Sequence, residues 1–342
     1  MPRRAQAVPS AATLLAIAAL VACGSAPKAE LPPAAEPASS PPPAQAPPGR
    51  IVEVGFKPEG IAADPRTGIF AVGLRDPEGA ELALLDGARG RVTRRVPLPA
   101  PPRHLALEAE GGPVLVPAED ADELLRVRLP GGQVSRAPTG REPHDAAAAG
   151  GRLFVADEFA SQLSVYEGDR RIRTVDTALQ PGGIFGVQRG RQVAMVAVKE
   201  RVVETYDVAS GRRTGRADAG VGPTHAVSDD GDYLFVTDTT GGALLVYNLE
   251  PKLELIRRYP LPGSPYGIAI DNRRHRMYVT QTASNQLTEL TVGGRPSLVA
   301  RIPTVRQPNT VAVDEATGRV AVTGKVDGVV QLLDPEDRER SQ

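Results

Sequence analysis

Three of the four histidines in this chain follow a proline that recurs along the sequence, and this spacing points to a shared site. His104 and His225 lie two positions after their prolines, and His144 lies one position after its own, directly before Asp145. Imidazole and carboxylate groups are the ligands that Zn²⁺ and similar divalent ions take from proteins. These four residues therefore form a candidate metal site. The alternative is that the same side chains hydrogen-bond backbone groups and water at a channel entrance.

Comparing the two positions after every recurring proline adds further residues to the candidate site. Most of them carry polar or aromatic side chains, and the others are glycines. If these positions converge, they form a ligand-binding mouth in which Glu59, Asp145 and Asn309 offer oxygen donors. The predicted mouth consists of Glu59, Arg103, His104, His144, Asp145, Thr224, His225, Tyr266 and Asn309.

The prolines themselves define the elements that must position these side chains. The differences between neighbouring prolines are 44, 41, 38, 42, 42 and 43 positions, and a short apolar run, a turn and a second apolar run follow each one. A period of about 40–45 residues is that of one four-stranded β-propeller blade. The sequence therefore predicts an all-β fold, a seven-bladed propeller with four-stranded blades. The prolines are Pro58, Pro102, Pro143, Pro181, Pro223, Pro265 and Pro308.

Each repeat begins with a strand of small residues and continues with a more apolar strand. Residues 60–64 and 267–271 illustrate the first strand, in which Gly and Ala suit the narrow space beside a propeller axis. Residues 234–238 illustrate the second, which has β-branched and aromatic residues. Because the inner strands surround the axis, the loops that enter them converge at one end of the channel. His104 and His225 belong to the second and fifth repeats, so they could share an ion only on the axis.

The two ends of the repeat array complement each other. Residues 51–54 have the pattern of an outer strand that lacks a blade, whereas the last repeat ends at Asp334 after its third strand. Pairing the two would complete the seventh blade and remove two exposed edges. We therefore expect a propeller over residues 51–337 that is closed by an N-terminal outer strand. Pro181 marks the least regular repeat, because its second strand, residues 194–198, lacks an aromatic residue.

Two of the second strands carry a family resemblance. Residues 234–238 read Leu-Phe-Val-Thr-Asp and residues 277–281 read Met-Tyr-Val-Thr-Gln, each after a proline-led strand. They resemble the YVTN-type β-propeller repeat of bacterial extracytoplasmic proteins, and the similarity covers residues 51–334. The resemblance implies a propeller outside the cytoplasm. It assigns no activity, because many functions occur on this fold.

The N-terminal sequence predicts export and lipid attachment. Residues 1–22 combine two arginines with an apolar run at positions 11–21, which is short for a membrane span, and Cys23 follows a small-residue cleavage pattern. This pattern resembles the lipobox of bacterial lipoproteins, whose cysteine carries the lipid. The alternative is an ordinary signal peptide followed by an unrelated cysteine. Residues 23–50 are rich in Pro and Ala and are expected to form an extended tether.

The amino-acid composition excludes some classes of function. The formal net charge is −1 and acidic residues alternate with basic ones, so no nucleic-acid-binding surface is expected. We expect a monomeric, lipid-anchored binding or scaffold module on the extracytoplasmic side of the bacterial cell envelope, periplasmic or extracellular. Its ligand at the channel mouth would be a protein, a peptide or a glycan. The alternative is a metal-dependent hydrolase or lyase of the lactonase-like propeller kind, with a divalent metal as its cofactor.

Overall fold

The computed structural model describes residues 1–2, 31–76, 79–229 and 231–340. The chain divides into two units, Met1–Leu31 and Pro32–Gln342, and the second contains all of the strands. The predicted signal peptide and Cys23 lie outside the described residues. Within the described ranges, no helix combines the length and the apolar character needed to span a bilayer.

The strands form seven antiparallel sheets of four strands each, and the inner strands of neighbouring sheets contact one another around a closed ring. Numbered along the chain, blade 1 consists of Pro58–Asp64, Ile69–Asp76, Gly79–Asp86 and Arg91–Leu98. Blade 2 consists of Ala106–Leu107, Val114–Ala118, Glu123–Val127 and Val134–Pro138. Blade 3 consists of Pro143–Ala149, Arg152–Asp157, Gln162–Glu167 and Arg170–Asp176.

The remaining blades repeat this order from the inner to the outer strand. Blade 4 consists of Pro181–Val187, Gln192–Ala197, Val202–Asp207 and Arg213–Asp218. Blade 5 consists of Pro223–Ser228, Tyr233–Asp238, Ala243–Asn248 and Glu254–Pro260. Blade 6 consists of Pro265–Asp271, Arg276–Gln281, Gln286–Thr291 and Leu298–Pro303. Blade 7 consists of Pro308–Asp314, Arg319–Gly324, Val329–Leu333 and the N-terminal strand Arg50–Glu53.

Short helices occupy several of the connections. Three 3₁₀ helices follow the second strands of blades 2, 3 and 6, and a fourth joins the first two strands of blade 4. An α-helix follows the last strand. In chain order these helices are Glu119–Ala121, Glu158–Ala160, Gln188–Gly190, Thr282–Ser284 and Pro335–Glu339.

The predicted seven-bladed propeller is confirmed, and its least regular blade is not the one expected. The strand that begins at Pro181 spans seven residues, whereas the inner strand of blade 2 is reduced to Ala106–Leu107. The physical reason lies in the strand that pairs with it. Pro117, which lies in that strand, lacks the backbone N–H that a ladder requires.

The ring closes as the sequence predicts. Arg50–Glu53 pairs antiparallel with Val329–Leu333, with Arg50 opposite Leu332 and Glu53 opposite Val329. The backbone N–H of Val54 continues the pairing by donating to the carbonyl of Gly328 at 3.0 Å. Val54 is fully buried, so this strand adds apolar contacts as well as a covered edge.

Small residues allow the inner strands to approach one another around the axis. A Cβ atom on Gly60 would lie 2.7 Å from the carbonyl oxygen of Arg103, and one on Gly267 would lie 2.5 Å from that of Asn309. No other residue fits at these two places without moving the neighbouring backbone. The taper toward the axis therefore depends on these glycines.

The Pro- and Ala-rich segment differs from the expected free tether. The side chain of Gln307 in blade 7 accepts from the N–H of Ser40 at 2.9 Å and donates to the carbonyl of Ala38 at 3.0 Å. The hydroxyl of Ser40 donates to the carbonyl of Thr282, and Gln331 donates to the carbonyl of Pro48 at 2.8 Å. Residues 38–48 therefore contact blades 6 and 7 and add nothing to the reach of a spacer.

Candidate functional site

Two sets of loops meet on one face of the disc. In every blade except blade 2, the inner strand begins on this face at its proline, and the antiparallel second strand ends there, as in the pairings of Pro143 with Asp157 and Pro308 with Gly324. The residue that follows the second strand therefore stands beside the residue that precedes the proline. In blade 3 the N–H of Glu158 donates to the carbonyl of Glu142 at 2.9 Å. Both sets of residues surround the mouth of the axial channel.

Four aromatic rings from four blades form a continuous group at this mouth. The rings of His104 and His225 stack with centroids 4.6 Å apart and planes 15° from parallel. His144 meets His104 edge to face at 4.7 Å, and Tyr266 meets His225 in the same manner at 4.5 Å. The three histidines singled out from the sequence therefore come together, although they belong to blades 2, 3 and 5.

The stacked histidines separate two cavities. Below them, a channel cavity of about 220 Å³ is lined by residues from all seven inner strands, including Ile61, Ile184 and Val311. Above them, a mouth cavity of about 320 Å³ is lined by polar side chains and by residues 34–36 of the N-terminal segment. His104 and His225 line both cavities and form the floor between them.

Asp145 positions the floor from below. Its Oδ2 atom lies 3.3 Å from Nδ1 of His104 and accepts from the N–H of Ile184 at 3.0 Å. Its Oδ1 atom accepts from the N–H of Ala146 at 2.8 Å. Since both oxygens already have partners, this carboxylate acts as a support for His104 in the structure.

His225 contains a buried nitrogen atom that lacks a partner. Its Nδ1 atom has no hydrogen-bond partner in the part of the chain that the structure describes. Burial lowers the pKa of His225 well below its ordinary value, and the neighbouring His104, His144 and Arg103 lower it further. Burial and the neighbouring positive charges therefore favour the neutral ring.

His144 lies between two carboxylates. Its Nδ1 atom is 2.9 Å from Oε2 of Glu158 and 3.1 Å from Oε1 of Glu119, without being aligned with either as a hydrogen bond. Burial alone would lower the pKa of His144, but the two carboxylates outweigh it and raise the pKa to about 9. In the residues described, this trio is the one group of His, Cys, Asp or Glu side chains whose ligand atoms all lie within 4.8 Å of one another.

Glu119 also contacts two arginines. Nε of Arg103 lies 3.3 Å from Oε1 of Glu119, and Nη1 of Arg75 lies 3.6 Å from Oε2. Burial would raise the pKa of Glu119, yet His144 and Arg103 hold it below the ordinary value. Glu142, at the same cavity, has a raised pKa because of burial and the negative charges of Glu119 and Glu158. Negative neighbours therefore surround Glu142, whereas positive neighbours predominate at Glu119.

The remaining predicted residues have partners within the protein in two places. Glu59 and Asn309 lie between blades 1 and 7, and Arg75, which contacts Glu119, lies 3.8 Å from Oε2 of Glu59. Thr224 lies in blade 5 and lines the mouth cavity. Oε1 of Glu59 lies 2.8 Å from Nζ of Lys325 and accepts from Nδ2 of Asn309 at 3.4 Å. Thr224 hydrogen-bonds the hydroxyls of Thr237 and Thr239 at 3.0 and 2.7 Å. Glu59 and Asn309 therefore connect the inner strands of blades 1 and 7, and neither belongs to the described lining of the mouth cavity.

The sequence analysis missed the acidic residues of the mouth. Glu119 and Glu158 each come directly after a second strand, and Arg75 and Lys325 occupy the equivalent place in blades 1 and 7. Arg75, Glu158 and Lys325 each come directly after the residue that pairs with the proline of their blade, and Glu119 comes directly after the second strand of blade 2. Of the four metal ligands predicted from the sequence, only His144 belongs to the trio with Glu119 and Glu158.

Comparisons with known proteins support the fold at low sequence identity. A chain of Kuenenia stuttgartiensis hydrazine synthase superposes with a TM-score of 0.71 at 17% identity, covering 83% of this chain and 97% of that chain. A streptogramin B lyase gives 0.70 at 14% identity, covering 84% and 98%. Virginiamycin B lyase from Staphylococcus aureus gives 0.67 at 15% identity, covering 83% and 98%. No family model and no curated protein matches the sequence. These structural similarities concern the seven-bladed propeller fold, and they assign no activity to this chain.

Proposed function

We propose that this protein is a lipid-anchored β-propeller of the bacterial cell envelope that binds a small cationic ligand in the mouth cavity. The composition of the cavity wall carries the proposal. Four carboxylates face the cavity, and Arg103 is the one arginine or lysine in its described lining. The four carboxylates are those of Glu36, Glu119, Glu142 and Glu158.

The excess of acidic groups favours a cation for an electrostatic reason. Charges of one sign on the walls of a cleft concentrate the field inside it and raise the local concentration of the opposite charge. Arg103 and a protonated His144 balance only part of the negative charge. The cavity volume of about 320 Å³ falls at the lower end of the range for small-molecule sites. Tyr266 and Phe159 add aromatic faces, which attract ammonium groups.

Calorimetric titration of the purified protein tests the charge of the ligand. Spermidine and Zn²⁺ serve as organic and inorganic cations, and citrate serves as the anion. We expect a cation to bind with one equivalent per chain and citrate to show no heat of binding. Glu142→Gln should weaken cation binding several-fold, because it removes one charge from the cavity. The matched variant Glu254→Gln, on the exposed outer strand of blade 5, should leave binding unchanged. Preferential citrate binding, or no cation binding, would contradict the proposal.

The envelope location is supported by the YVTN-like strands and by the lipobox-like pattern at Cys23. Cys23→Ser is expected to release the protein from the membrane fraction of bacterial cells or to leave it unprocessed. Metabolic labelling with a radioactive fatty acid measures the attachment directly. Equal labelling of the wild type and the variant would show that the anchor is elsewhere.

A further inference from the structure

The trio of Glu119, His144 and Glu158 has the spacing of ligands around one ion. The two nitrogen–oxygen distances from His144 are 2.9 and 3.1 Å, and all three ligand atoms lie within 4.8 Å of one another. With metal–ligand bonds of about 2.0–2.2 Å, adjacent ligands are about 3.3 Å apart in a tetrahedron and about 3.0 Å apart in an octahedron. The separations at His144 therefore agree with those of adjacent ligands.

A second observation concerns the nitrogen atom itself. Nδ1 of His144 is buried and has no hydrogen-bond partner among the described residues, although two carboxylate oxygens lie beside it. Its contacts with Glu119 and Glu158 are close ion pairs without the alignment of a hydrogen bond. An ion between the three groups would give this nitrogen a bond and would neutralise the repulsion between Glu119 and Glu158. The same ion would face the mouth cavity, whose wall contains all three residues.

We propose that Glu119, His144 and Glu158 bind one divalent transition-metal ion of the Zn²⁺ type, with solvent from the mouth cavity completing its coordination. One imidazole and two carboxylates form a donor set that Zn²⁺ accepts. Arg103 and Arg75 would orient the carboxylate of Glu119 from outside the ligand shell. This inference rests on the proposed function and names the class of its cation.

The ligand set differs from the one predicted by the sequence, and the geometry explains why. His104 and His225 lie face to face, so the lone pairs in their ring planes run side by side instead of meeting at a point. Both oxygens of Asp145 accept from backbone N–H groups. Neither the stack nor Asp145 is therefore arranged as part of the ion site, and His144 alone joins the two glutamates.

Zn²⁺ titration of the purified protein, freed of metal with a chelator, tests the assignment. A chromophoric zinc chelator in competition reports the affinity. We expect one Zn²⁺ per chain and a loss of about 100-fold or more in affinity for Glu158→Gln and for His144→Ala. Glu142→Gln is the matched control, since it removes the same charge from the same cavity without removing a ligand. Its loss should be only several-fold. Equal losses for Glu158→Gln and Glu142→Gln would overturn the assignment.

X-ray absorption spectroscopy of the Zn²⁺-loaded protein separates the two ligand sets without depending on mutant stability. We expect the scattering of one imidazole and two or more oxygen ligands. Scattering from two or three imidazoles would overturn the trio in favour of the histidine stack.

The titrations also distinguish failure of this inference from failure of the proposed function. If spermidine binds in the mouth cavity and Zn²⁺ does not, the metal assignment is wrong and the cationic ligand stands. If neither binds, both are wrong. Thermal denaturation of each variant shows whether it is folded before its affinity is interpreted.

Discussion

His104 and His225 lie face to face over the propeller axis, with their ring centroids 4.6 Å apart. They come from blades 2 and 5, where His225 lies within the inner strand Pro223–Ser228 and His104 lies two residues before the inner strand Ala106–Leu107. The pair closes the channel between an apolar cavity below and an acidic cavity above. A ligand that enters the mouth therefore meets an aromatic floor and does not pass through the disc.

Replacing His225 and His104 by Phe is expected to change the free energy of unfolding in different ways. His225→Phe keeps an aromatic ring and removes a buried nitrogen without a partner, so the free energy of unfolding should stay equal or rise. His104→Phe deprives Asp145 of a partner and should lower that free energy by about 1–3 kcal/mol. Urea denaturation measures both. A larger loss for His225→Phe than for His104→Phe would contradict the contacts described.

Removal of the closing strand is expected to open the last blade. Deleting residues 50–54 uncovers the edge of Val329–Leu333 and removes the buried Val52 and Val54, so the melting temperature should fall and self-association should increase. Ile51→Ser, at an exposed position of the same strand, should change stability by less than about 0.5 kcal/mol. Calorimetry and light scattering measure the two effects. A monomeric deletion variant with the wild-type melting temperature would exclude closure by this strand.

Gln307 is expected to hold the N-terminal segment on the disc. Gln307→Ala removes one acceptor for Ser40 and one donor for Ala38, so residues 32–46 should become more sensitive to proteases. Stability should fall by about 1–3 kcal/mol, because buried partners lose their hydrogen bonds. Gln45→Ala, at an exposed position of the segment, is the control. Limited proteolysis followed by mass spectrometry gives the cleavage sites. Identical digestion of both variants would mean that Gln307 does not hold the segment.

Glu204 is expected to make stability depend on acid. Burial would raise its pKa, but the hydroxyl of Tyr206, the N–H of Ala178 and Arg213 outweigh burial and lower the pKa below 4.5. Because the pKa is lower in the folded state, the carboxylate stabilises the fold above pH 4.5, and this contribution disappears as the pH falls through the folded-state pKa. Glu204→Gln should therefore lower stability at neutral pH and flatten its decline in acid.

Urea denaturation at a series of pH values measures the effect of Glu204→Gln. The control is Glu254→Gln, whose side chain is exposed and lies 3.5 Å from Lys252. The control should show the acid profile of the wild type. If the stability of Glu204→Gln depends on pH as that of the wild type does, this carboxylate does not contribute to the loss of stability in acid.

The repeat of prolines and apolar strands was sufficient to predict the fold. Strand identity depends on local alternation and turn residues, and the edge left free at residues 51–54 required a partner. The same repeat located the mouth, because six of the seven inner strands begin at their recurring proline.

The sequence alone determined the blade count, the closure and the gathering of His104, His144 and His225, because each follows from a periodic local pattern. Only the tertiary structure decided which groups touch. The Glu119 and Glu158 carboxylates approach His144 from the second strands of blades 2 and 3, and such distances depend on side-chain direction across blades. The docking of residues 38–48 was likewise hidden, since its hydrogen bonds join residues more than two hundred positions apart. Local sequence patterns do not encode contacts of that kind.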